Sequence, residues 1–79
     1  MNKDKVLFHL REAKEQLDDT IKSLETNNEY DFDLYNDLEH IYSHINSAWN
    51  GRNKGYEEEE TDEEYSKNRQ FPTDIDMSA

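Results

Sequence analysis

Two rows of apolar residues at helical spacing decide most of what this chain can become. Val6, Leu10, Ala13, Leu17, Thr20 and Leu24 recur at alternating intervals of four and three, which keeps them on one stripe of an α-helix. In heptad terms Leu10, Leu17 and Leu24 share one core position, and Val6, Ala13 and Thr20 share the other. Leu34, Leu38, Ile41, Ile45 and Ala48 repeat the same alternation. Neither segment contains Gly or Pro, so nothing interrupts either helix.

The ends are marked by residues that suit them. Asn27 and Asn28 tolerate the backbone of a helix end. Asp31 and Asp33 can cap a second helix and complement its dipole. Gly51 supplies a stop, with Arg52 and Lys54 favourable beside the last carbonyls. The spacing predicts helices over about 3–26 and 32–50. The link between them is short, so they run antiparallel as neighbours.

From Gly51 the character changes. Glu57-Glu58-Glu59-Glu60-Thr61-Asp62-Glu63-Glu64 holds seven acidic positions in eight and no period, the composition of a solvated segment. Phe71, Ile75 and Met77 form a small apolar cluster beyond it. The expected organisation is therefore a helical hairpin over 1–54 and a flexible, disordered acidic tail over 55–79, with the apolar cluster at 71–77.

A lone hairpin is a poor bargain for this chain. Hydrophobic residues make up 32% of it and charged residues 37%. About ten apolar side chains must then offset the ordering of both helices. Two hairpins that bury each other nearly double the burial per residue. The expected fold is all-α: an antiparallel helical hairpin dimerising into a four-helix bundle.

Charge narrows the partners. Twenty acidic and 9 basic side chains give a net charge of −11. Such a surface repels phosphate backbones and anionic membranes, so neither direct nucleic-acid binding nor membrane attachment is expected. Basic proteins are the electrostatically sensible partners. There is no cysteine, which removes disulfides and thiolate metal sites. The apolar run Val6-Leu7-Phe8 is too short for a signal peptide, and no stretch is long enough to span a bilayer. The expected location is cytoplasmic.

Candidate binding residues lie beside the leucine stripe rather than in it. Tyr35, Tyr42 and Trp49 are spaced by seven along the second helix, and Leu7, Lys14 and Ile21 form the matching flank of the first. An aromatic row of this kind is too apolar to leave wet comfortably. It can close a homodimer, anchor a different protein, or be covered by the chain's own tail. Tyr and Trp dominate binding hot spots, so Tyr35, Tyr42 and Trp49, with Phe71 and Ile75 of the tail, are the expected partner contacts.

Chemistry-bearing constellations are weak. His40 and His44 share one helix face and Asp37 lies one turn earlier, which suggests a divalent-metal first shell. The pair lacks the Glu of the His-Glu-x-x-His motif, and two partly exposed histidines explain it more simply. No metal or cofactor is expected. Counted as a calcium loop from Asp31, the fifth, sixth and twelfth positions hold Tyr35, Asn36 and Tyr42, which fails the requirement for an oxygen ligand, Gly and Glu. A di-iron bundle wants Glu-x-x-His on two helices, and only Asp37-x-x-His40 comes near it. Nucleophile-elbow and phosphate-loop patterns are lacking.

The expected function is thus non-catalytic: a small acidic helical adaptor or regulatory module that binds protein. Two alternatives remain. The helix carboxylates Glu12, Glu15, Asp18, Asp19 and Glu25 can mimic nucleic-acid phosphates and so inhibit a nucleic-acid-binding protein, or the histidines can form a weak metal-binding module.

Overall fold

In the computed structural model the described residues are 1–26, 31–55 and 61–76. The expected helix end at Asn27 and Asn28, the run Glu57–Glu60 and Met77 lie outside them. The described chain is all-helical: α1 (Lys3–Thr26), α2 (Asp31–Asn50) and α3 (Asp62–Asn68), with α1 packed against α2 as a hairpin. The first two helices sit within one residue of the predicted bounds.

Asn2 starts α1 and fastens it. Its Oδ1 accepts from the Lys5 N–H at 3.1 Å, and its carbonyl accepts from Val6 at 3.1 Å. Asp4 in the first turn adds a favourable charge at the dipole's positive end. Asn2 also reaches across to the far end of α2. Its Nδ2 donates to the Lys54 carbonyl at 3.0 Å and its backbone N–H to the Arg52 carbonyl. Asn2, only 8% exposed, thus links the open end of the hairpin.

Gly51 follows the last residue of α2 at a place with little room for a side chain. Its backbone has no positive φ. A Cβ there would stand 3.0 Å from the Ser47 carbonyl oxygen and 3.2 Å from Lys5 Cε. The absent side chain is where α1's Lys5 crosses the end of α2.

The seam between α1 and α2 is small and polar rather than leucine-rich. Its buried apolar residues are Ala13, Ile41 and Ala48, joined by His9, Thr20 and Ser47. Ala13 and Thr20 belong to the predicted stripe, but the helix is rotated so that His9 and Gln16 also face α2. Leu10, Leu17 and Leu24 are carried to the edge. The reason is hydrogen bonding: Thr20 meets Asp37, His9 meets His44 and Gln16 meets His40 across the seam. Polar groups that leave water must do so together.

The tail carries an element that the acidic composition conceals. Thr61 caps α3, its Oγ1 accepting from the Glu64 N–H at 3.1 Å. Asp62, Glu63 and Glu64 fill the first turn and Lys67 the last, the charge order that a helix dipole favours. Lys54 pairs with Glu64 and ties this helix to the end of α2. Where a featureless tail is expected, residues 62–68 are helical because every local signal agrees.

Candidate functional site

The hairpin presents three features with functional content: an apolar face, an aromatic flank and a chain of histidines.

The apolar face follows from the rotated seam. Leu10, Leu17, Ile21 and Leu24 on α1 and Ile45 on α2 are each between 44% and 48% exposed. They lie on one side of the hairpin, where the two helices' exposed edges adjoin. Leu34 and Leu38 continue the α2 edge, partly buried. Lys14 and Asp18 pair at 3.1 Å along its α1 border, both solvent-exposed, so the border carries both signs of charge.

The aromatic flank of α2 is met by the chain's own C-terminal segment. Asn46 Nδ2 donates to the Arg69 carbonyl at 2.9 Å, and Asn50 Nδ2 to the carbonyls of Asn68 and Gln70, both at 2.9 Å. Arg69 returns the grip, with its Nη2 and Nε donating to Ser43 Oγ at 3.2 and 3.3 Å. Ser43, Asn46 and Asn50 are spaced three and four apart, a polar stripe of α2 on which the two amides hold the backbone of residues 68–70 and Ser43 accepts the Arg69 guanidinium. The aromatics of α2 then fix Phe71 and Asp74. Phe71 lies against Tyr42 with ring centroids 5.5 Å apart, and Trp49 Nε1 donates to Asp74 Oδ1 at 2.8 Å. Arg52 stacks over the Trp49 ring at 3.6 Å and its Nη2 lies 4.0 Å from Asp74 Oδ2.

Of the predicted contact residues, Tyr35, Tyr42 and Phe71 line one open cleft of about 500 Å³ between α2 and the C-terminal segment, with Leu38 and Arg69. Trp49 lies outside it, engaged with Asp74, and Ile75 is 40% exposed. Pattern reading missed Ser43, Asn46 and Asn50. Their signal was present as a polar stripe at helical spacing on the far side of α2.

All three histidines of the sequence meet in the seam, although His9 stands 35 residues from His44. His9 Nδ1 lies 3.0 Å from His44 Nδ1, and His44 Nε2 lies 2.9 Å from His40 Nε2. His40 Nδ1 lies 3.0 Å from Gln16 Oε1. The Gln16 amide is oriented by its Nε2, which donates to Thr20 Oγ1 at 3.2 Å, so Oε1 accepts and His40 Nδ1 carries a hydrogen. The single Thr20 hydroxyl hydrogen is shared between the Gln16 carbonyl at 2.8 Å and Asp37 Oδ2 at 3.1 Å. Phe8 sets its ring edge-on to His9 and His44. Burial holds the His44 imidazole below its ordinary value near 6.5, helped by His40 and Arg69 and opposed by Glu12.

This arrangement is not a metal shell. His44 offers one nitrogen to His9 and the opposite nitrogen to His40, so the three imidazoles do not converge on one point. Asp37 is turned to Thr20 instead. Among the described residues no group of three or more His, Asp or Glu side chains is placed to hold an ion.

No helix among the described residues is long and apolar enough to cross a membrane. Compared with known proteins, the chain matches no family model, no curated protein and no solved structure.

Proposed function

We propose that this chain is a non-catalytic helical module that binds protein, and that its first partner is a second copy of itself. The observation that carries this is the row Leu10, Leu17 and Leu24, kept at heptad spacing through α1 and left about half exposed while α2 covers the adjacent seam. A seven-residue repeat sustained over a whole helix suits packing against another helix along its length. Ile45 and the Leu34–Leu38 edge make the face two helices wide, which a four-helix bundle requires. Twofold symmetry closes such an assembly. The mixed charges of Arg11, Lys14, Asp18 and Glu25 beside the leucines let like-charged copies meet despite a net charge of −11.

The aromatic flank is the second contact surface, for another protein. Tyr35 remains 70% exposed and Phe71 65%, and the cleft between them joins aromatic rings to one guanidinium, Arg69. Sedimentation velocity across a concentration series tests the proposal. Wild type is expected to shift from monomer to dimer, Leu17→Glu to stay monomeric, and Tyr42→Ala to dimerise as wild type does. A wild-type chain that sediments as a monomer at every concentration would overturn the self-association.

A further inference from the structure

The histidine chain has an arithmetic of its own, independent of whether the protein dimerises. Three imidazoles carry six ring nitrogens, and four of these face each other in two close pairs. A pair 2.9–3.0 Å apart holds one hydrogen, since two N–H groups cannot point at each other at that distance. The two outer nitrogens, His9 Nε2 and His40 Nδ1, hold at most one each. The chain therefore holds four hydrogens at most, one more than three neutral imidazoles bring. In the neutral state the order is single and complete: His9 Nδ1–H to His44, His44 Nε2–H to His40, His40 Nδ1–H to Gln16. One extra proton can be placed on any of the three with both close pairs intact.

We propose that this chain is a proton-limited clasp between α1 and α2, stable with one added proton and opened in steps by further acidification. The second proton breaks the weaker side. His40 is exposed on α2 and swings out as an imidazolium, giving up its contacts with His44 and Gln16. The third puts N–H against N–H between His9 and His44, and His9 is only 9% exposed. That pair bridges the two helices, so its rupture weakens the seam between α1 and α2.

Among the described charged groups around His44, Glu12 on α1 favours added charge. Arg69, which shares a small cleft with His9, His40, His44, Tyr65, Ser43 and Ser47, opposes it. The depressed affinity of His44 for protons sets the sign. The unfolded chain binds more protons than the folded one as pH falls through the imidazole range, so stability is full above about pH 6.5 and declines below it.

NMR titration of the imidazole resonances in the full chain, with thermal melts from about pH 7.5 to about pH 5.5, tests this. His44 is expected to titrate below the ordinary imidazole value, in steps coupled to those of the imidazoles on either side of it. Melting should fall over the same interval. His44→Gln keeps one acceptor and one donor and cannot take a proton, so its melting should vary less with pH than wild type's. Three independent titrations near the ordinary value, or an unchanged pH dependence in folded His44→Gln, would overturn the clasp. Should that variant fail to fold, the wild-type titration decides.

Discussion

Asn2 shows how much a single residue near a chain end can hold. It caps α1 and joins it to Arg52 and Lys54 beyond α2, so Asn2→Ala removes the cap and leaves the Lys54 carbonyl without its side-chain donor. Loss of a cap costs about 0.5–2 kcal/mol, and urea denaturation should show a loss toward the upper end of that range. An unchanged midpoint would deny Asn2 this fastening role. Thr61→Ala should unravel α3, measured as faster hydrogen exchange at Glu64 and Tyr65, because Thr61 Oγ1 and its carbonyl accept their N–H groups. The signal for this cap was legible: Thr61 stands three residues before Glu64, the spacing of a capping box. It was hidden in the acidic run, where composition speaks louder than position. The histidines were the opposite case. His40 and His44 are close in sequence, but nothing in a pattern predicts that His9 arrives between α1 and α2 to complete them.

At the scale of elements, periodicity located α1 and α2 almost to the residue. It could not say which edge of each stripe faces the other helix. An apolar stripe spans a wide arc, and seam polar groups such as Thr20 and Asp37 choose the rotation within it. The outcome was Ala13 and Thr20 buried with Leu10, Leu17 and Leu24 at the border. The attachment of the C-terminal segment was legible only as one of three coverings for Tyr35, Tyr42 and Trp49. The amide grip of Asn46 and Asn50 on residues 68–70 makes it specific. Asn50→Asp turns a donor toward two carbonyls into a carboxylate and should release the segment. The expected result is loss of the nuclear Overhauser contact between Phe71 and Tyr42, with the helicity of α1 and α2 retained. Persistence of that contact would mean the aromatic rings alone hold the segment.

For the whole molecule, one idea connects the seam, the leucine border and the composition. Ala13, Ile41 and Ala48 are a thin core for two helices of 24 and 20 residues, while five larger aliphatic side chains stay about half wet. In the proposed pairing, association would move those side chains out of water without disturbing the polar seam, and would leave the aromatic cleft outward. The most direct test is an isotope-filtered NOE experiment on a mixture of labelled and unlabelled chains at high concentration. Pairing through the leucine border predicts intermolecular contacts between methyl groups of Leu10, Leu17, Leu24 and Ile45. Intermolecular contacts confined to Tyr35, Tyr42 and Phe71, or none at concentrations where sedimentation detects a dimer, would contradict it.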